Sequence, residues 1–310
     1  MNSQVKGYIL GAIAAATYGL NPLFTLPLYA DGMQPDNVLF YRYLLGIPAV
    51  AIMLKARGRG FRIERNTVVP LTFMGILMAV SSLLLFLSYN YMDAGIASTM
   101  LFVYPLMVAL IMTIFFRERL SLLTILCISL ATGGIMLLFK GSDGATLSVT
   151  GTVFVMFSAL AYACYIVGMN RPHLRSVPTL KAIFYVLLSG TVLFGAKIVA
   201  TPGSTFAGPE HWYMWGCVVA LAILPTVISF MCTTTAIQYI GPTPTAILGA
   251  LEPVTAVIVG ITVFNEQLTG RDWLGIVLIV VAVTLVVVGG KITTALVRFR
   301  HLFPSLRHKH

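Results

Sequence analysis

Two ionisable residues stand inside long apolar stretches: Glu252 in AILGALEPVTAVIVG and Arg42 in NVLFYRYLLGIPAV. A carboxylate at the centre of a bilayer costs roughly 2.5 kcal/mol or more, so a membrane helix keeps one only where it faces protein or water. Glu252 precedes Pro253, and two readings follow. It can bind an amine or exchange a proton within a cavity. Alternatively, it can complete the kink of a proline, which lacks an N–H and frees a carbonyl one turn earlier. Arg42 can attract a carboxylate or phosphate, or pair with Asp36 or Asp93. It can equally be an anchor, lying roughly 9 Å deep and reaching the interface by snorkelling; Lys197, at a span end, reads as a snorkelling lysine. Tyr18, Asn21, Tyr104, Tyr162, Tyr165, Ser81 and Ser229 supply the polar groups of a pocket lining. Tyrosine offers an apolar face and one hydroxyl, which suits flat or amphipathic molecules. Against this, tyrosines populate interfacial belts and hydroxyl residues join membrane helices. Pro22, Pro105, Pro225 and Pro253 would kink their helices and act as hinges. Covalent and metal chemistry find no residues in pattern. The histidines (His173, His211, His301, His308, His310) are scattered, no HExxH or GxSxG occurs, and the four cysteines fall inside apolar runs. No catalytic residue, metal or cofactor is expected.

The elements that must position these residues are membrane spans. Of 310 residues 58% are hydrophobic and 10% charged, against about 25% charged in a soluble domain; mean hydropathy is +0.92. Apolar runs of about 20 residues have the length of a membrane-crossing helix. Ten are present, near residues 7–29, 37–54, 68–91, 94–116, 121–139, 147–169, 179–199, 212–240, 242–264 and 272–290. Only Lys6 precedes the first, with no small-residue cleavage pattern after it, so it reads as a retained helix. The net charge of +10 is distributed as a membrane topology, not as a nucleic-acid surface. Basic residues gather in alternate loops (Lys55 to Arg65, Arg117 and Arg119, Arg171 to Lys181) and in the tail, which places both termini in the cytoplasm. The tail from Lys291 to His310 reads as a basic cytoplasmic anchor on anionic lipid.

The chain also repeats itself. Pro105 and Pro253, Glu118 and Glu266, Ser81 and Ser229, Asn90 and Gln238, and Tyr91 and Tyr239 all lie 148 residues apart. Gly7 with Gly151 and Tyr18 with Tyr162 share an offset of 144; Pro35 with Pro178 and Arg42 with Tyr185 share 143. Each copy holds five spans, and an odd number makes the copies enter the membrane from opposite sides. The expected fold is therefore all-α: ten transmembrane helices in two inverted five-helix repeats, residues 5–140 and 147–290, with the tail at 291–310. Duplicated apolar bundles with mid-membrane prolines are the common build of secondary transporters.

With an arginine in the second span and the partly kept pattern Pro-x₃-Ala-x₈-Glu (Pro105, Ala109 and Glu118; Leu251-Glu252-Pro253 with Glu266), the chain resembles the drug/metabolite transporter superfamily in its ten-helix EamA-type branch. Two departures stand out: Tyr104 occupies the position of Glu252, and Phe116-Arg117 replaces the Leu-Gly often found before the terminal glutamate. The resemblance implies a central cavity bounded by spans 1, 3, 4, 6, 8 and 9, and export of small metabolites by alternating access across a bacterial cytoplasmic membrane. Amino acids or similar zwitterionic or aromatic solutes suit Arg42, Glu252 and the tyrosines. Glu252 permits proton coupling, and membrane lipids are the other partner. Monomer and homodimer stay open. An uncoupled facilitator or channel of the same fold is the alternative reading; an integral-membrane enzyme acting on a lipid-linked substrate is the weaker one.

Overall fold

The structure, a computed structural model, describes residues 3–88, 91, 97, 100–117, 121–138, 148–264, 270–271 and 273–285. Among these residues every regular element is helical. The first span comprises α1 (Ser3–Tyr18) and α2 (Asn21–Ala30); α3 (Pro35–Ala56) and α4 (Arg65–Ser88) follow. The fourth and fifth spans contain α5 (Tyr104–Phe116) and α6 (Leu122–Leu138). The second half begins with α7 (Val149–Met169), a single turn α8 (Pro172–Arg175) and α9 (Thr179–Ala200). The eighth span is a composite of a 3₁₀ turn (Trp212–Met214), α10 (Trp215–Ala222), a π-helical turn (Ile223–Ile228) and α11 (Ser229–Ile240). The ninth divides into α12 (Pro242–Leu248) and α13 (Leu251–Phe264), and α14 (Trp273–Leu285) is the tenth. Six of these helical stretches are long and apolar enough to cross a membrane by themselves. The chain is a ten-helix membrane protein. Large apolar side chains such as Val69, Phe115, Val192 and Ile114 stay exposed on its outside, where lipid would cover them.

Elements that match at the repeat offsets pack in matching pairs. α4 lies along α7, and the matching elements of the other copy, α11 and α1, lie along each other. In the same way α5 on α7 matches α13 on α1, and α9 on α4 matches α3 on α10 and the π turn. α3 and α9, which occupy the same place in the two copies, pack together, as elements nearest a two-fold axis must. The same two positions are hydrogen-bonded in each pair, with donor and acceptor exchanged. The Ser158 hydroxyl donates to the Ser81 carbonyl at 2.7 Å and lies 3.2 Å from its hydroxyl, while the Ser229 hydroxyl donates to the Ala14 carbonyl at 3.0 Å.

The helices break ahead of Pro22, Pro105 and Pro253, as restarts more than bends, while α2, α3 and α4 run on through Pro27, Pro48 and Pro70. Gly19–Leu20, Phe102–Val103 and Gly249–Ala250 are turns, and Pro105 then stands in the first turn of α5, where a missing N–H costs nothing. Pro22 lies at the start of α2 and Pro253 near the start of α13, while their side chains lie outside the described residues. The turn near Gly241 is a single residue, held at φ +85° between α11 and α12, a conformation that favours glycine. The turn near Asp93, together with Asn90, Glu118, Glu266 and the basic tail, lies outside the described residues.

Candidate functional site

The breaks in the first, fourth and ninth spans meet beside a small recess. It is lined by Gly11, Ala14 and Ala15 of α1, Tyr104, Tyr162 and Ile166, Thr233, Thr245, Gly249 and Glu252. It gives the centre of a water molecule about 10 Å³, the room of about one bound water. A metabolite the size of an amino acid therefore requires the walls to part. On the side of the chain's N-terminus, the backbone of α1 lies close against side chains of α11 and α12. A Cβ at Gly7 would meet Ile240 at 2.7 Å, and one at Gly11 would meet Leu248 at 2.5 Å.

Glu252 enters the recess from the first turn of α13, its backbone N–H bonded to the Gly249 carbonyl at 2.9 Å. The break in the first span rests directly on it: a Cβ at Gly19 would lie 2.5 Å from the Glu252 carbonyl oxygen. Tyr104, the repeat partner of Glu252, is 1% exposed and donates its hydroxyl to the Ala246 carbonyl at 3.1 Å. Only a glycine at position 249 allows this, since a Cβ there would fall 1.6 Å from the Tyr104 hydroxyl. Tyr162 meets Tyr104 edge to face at 4.8 Å, and Tyr165 stacks behind Tyr162 at 6.3 Å. The residues matching Tyr162 and Tyr104 in the other copy are Tyr18 and Glu252. Two-fold symmetry thus fails at the centre, where one copy presents a phenol and the other a carboxyl group.

Of the expected binding residues, Tyr104 and Glu252 line the recess. Tyr18 stands one helical turn along α1 from Ala14 and Ala15, and Arg42 lies over its ring at 5.6 Å. Asn21 opens α2 with a buried side-chain oxygen that has no hydrogen-bond partner. Tyr165 is buried behind Tyr162. Ser81 and Ser229 are engaged in the interhelical hydrogen bonds described above. Arg42 is not paired with Asp36, which binds Lys197 at 2.5 Å. Its Nε donates to the Thr226 hydroxyl at 2.5 Å and its Nη2 to the Pro225 carbonyl at 3.2 Å. Both partners belong to the π-helical turn. Pro225 lacks the N–H that would close a regular turn, and the Thr226 hydroxyl donates to the Leu221 carbonyl at 2.9 Å. Sequence reasoning missed Gly249, Thr226 and Thr245; a glycine three residues before an intramembrane glutamate was the signal available for the first. Among the described residues no cluster of three potential metal ligands occurs.

The profile of the EamA-like transporter family matches residues 5–140 and 149–288. The chain belongs to the EamA-like transporter family. As an EamA-like protein it is a transporter and not an enzyme, a multi-pass protein of the bacterial inner membrane. The threonine/homoserine exporter RhtA of Salmonella typhimurium is 26% identical over 252 residues, covering 77% of this EamA-like chain and 81% of the exporter. An uncharacterized transporter of Synechocystis is 29% identical over 216 residues, with 68% and 64% covered. The uncharacterized transporter YcbK of Bacillus subtilis is 24% identical over 287 residues, with 86% and 88% covered. A crystal structure of 19% identity superposes with a TM-score of 0.77 over 91% of this chain and 96% of its own, sharing the fold.

Proposed function

We propose that this EamA-like transporter exports amino acids or similar small zwitterionic and aromatic solutes by alternating access, with the recess at Glu252 as the closed form of the solute path. The observation that carries the reading is the convergence of three broken spans on Glu252 and Tyr104. Discontinuous helices that meet at mid-membrane expose backbone groups where a solute can be bound. Glu252 faces the solute ammonium or a coupling proton, while Tyr104, Tyr162 and Tyr18 form the wall for its carbon skeleton. Asn21, Tyr165, Ser81 and Ser229 support that wall, and Pro22, Pro105, Pro225 and Pro253 mark the hinges. The relatedness to a threonine/homoserine exporter favours hydroxylated amino acids. The two five-helix units, residues 5–140 and 147–290, rock against each other, with both termini cytoplasmic. A recess with room for about one water favours a carrier over a standing channel.

The test is metabolite profiling of medium from cells carrying the intact chain, Glu252→Gln or empty vector, at matched membrane abundance. Threonine, homoserine or a related solute is expected to accumulate only with the intact chain and to fall to the vector level with Glu252→Gln. Identical media from intact chain and vector would overturn constitutive export. Accumulation unchanged by Glu252→Gln would remove Glu252 from the transport cycle.

A further inference from the structure

Arg42 is 1% exposed, and among the described residues no carboxylate forms an ion pair with it. Its guanidinium has three nitrogens. Nε and Nη2 are spent on Thr226 and Pro225, while Nη1 is buried with no hydrogen-bond partner. A cation enclosed with a donor left over is a costly arrangement in a membrane interior, and such groups mark solute or ion paths.

The scaffold does not require it. The matching position in the other copy is Tyr185, whose hydroxyl donates to the Phe61 carbonyl at 3.3 Å. The residues matching Pro225 and Thr226 are Leu77 and Met78, inside the uninterrupted α4. The equivalent pair of helices, α9 and α4, therefore packs with neither an arginine nor a π turn. Nor is Arg42 remote from the recess. It covers the ring of Tyr18, one turn along α1 from recess residues Ala14 and Ala15.

We propose that the Nη1 of Arg42 is the seat of the solute's carboxylate, so that this transporter selects solutes carrying a carboxylate together with an ammonium. This rests on the reading of the recess as the solute path, and deepens it: Glu252 takes the ammonium end and Arg42 the carboxylate end. Because the same guanidinium holds the Pro225 carbonyl and the Thr226 hydroxyl, arrival of a carboxylate acts directly on the π-helical turn of the eighth span.

The experiment uses the purified full chain in proteoliposomes, with exchange of labelled L-threonine competed by L-threonine, L-threoninamide, 1-amino-2-propanol and sodium chloride. Wild type, Arg42→Gln and Arg42→Lys are compared, and melting midpoints with the same four compounds are read in detergent. In the wild type, losing the carboxylate is expected to weaken competition by about tenfold or more, the scale of a hydrogen bond to a charged group. Arg42→Gln should lose that discrimination, and Arg42→Lys should retain it at weaker affinity. Equal competition by threoninamide in the wild type overturns the proposal, whatever the variants do. Competition by chloride at the same level would assign Nη1 to an inorganic anion and also overturn it. If the wild type exchanges no threonine yet is stabilised by L-threonine and not by the amide, the transport reading fails while the carboxylate seat stands. Should Arg42→Gln fail to fold, the wild-type competition and Arg42→Lys carry the decision.

Discussion

At the scale of single residues, the site is built by removing side chains as much as by adding them. Gly249 leaves room for the Tyr104 hydroxyl to reach the Ala246 carbonyl. Gly249→Ala is expected to expel that hydroxyl and destabilise the protein by about 1–3 kcal/mol, the usual cost of overpacking. Thermal unfolding in detergent checks it, and adding Tyr104→Phe should recover part of the loss. A second pair lies outside the spans. Asp31 and His211 contact each other through their side chains, and the His211 backbone N–H also donates to Asp31 at 3.2 Å. The Asp31 hydrogen bond and charge raise the His211 pKa above its ordinary value; the His211 hydrogen bond holds Asp31 below its own. The raised histidine stabilises the docked loop below its ordinary value and loses that effect as pH climbs through the raised one. The lowered carboxylate stabilises it above the usual carboxylate range and loses that effect as pH falls through the lowered value. Docking is therefore strongest between those limits. Protection of residues 201–211, read as exchange relative to the intrinsic rate at the same pH, should be greater at about pH 5.5 than at about pH 8.5, and His211→Ala should abolish the difference.

At the scale of elements, paired hydroxyls join helices of the two copies. Ser81 bonds with Ser158 between α4 and α7, and Ser229 with Ala14 between α11 and α1. Ser81→Ala and Ser229→Ala should each cost about 0.6 kcal/mol, as such bonds do within membranes. Their sum should hold in the double variant, since the sites share no partner. Comparable losses in unfolding experiments would show both serines acting as helix joints; a large transport defect without a stability loss would return Ser229 to the solute path. The eighth span shows why its first-copy counterpart is a poor guide. Pro225 opens a π turn that Thr226 and Arg42 complete, whereas α4 runs unbroken from Arg65 to Ser88.

At the scale of the whole molecule, the positions of the basic loops predict which face meets the cytoplasm. Loop residues Arg59 and Ser204 are both exposed, on loops after α3 and α9. Introduced singly as Arg59→Cys and Ser204→Cys, they should react differently in intact cells with an impermeant thiol reagent. Ser204→Cys should label and Arg59→Cys should not; the reverse pattern would invert the topology. The native cysteines give an internal control, since Cys127 is buried and the other three are half-buried.

Ten apolar runs, the offset of 148 residues and the isolated Glu252 were legible in the sequence, because span length, duplication and an intramembrane charge are properties of residue order. The positions of helix interruption were legible only in part: breaks precede Pro22, Pro105 and Pro253, yet α3 and α4 run on through Pro48 and Pro70. The partners were not legible. Thr226 lies 184 positions from Arg42 and Ala246 lies 142 from Tyr104, and residue order carries no record of which spans become neighbours. Asp36 looked available to Arg42 from its place in the same helix, yet Lys197, 161 residues away, holds it. Only tertiary packing decided that Ser229 joins helices, that Gly249 yields to a tyrosine, and that one guanidinium nitrogen of Arg42 remains unspent. Each of these depends on distances across the bundle, which are set by how helices close on one another and not by the spacing of residues along any one of them.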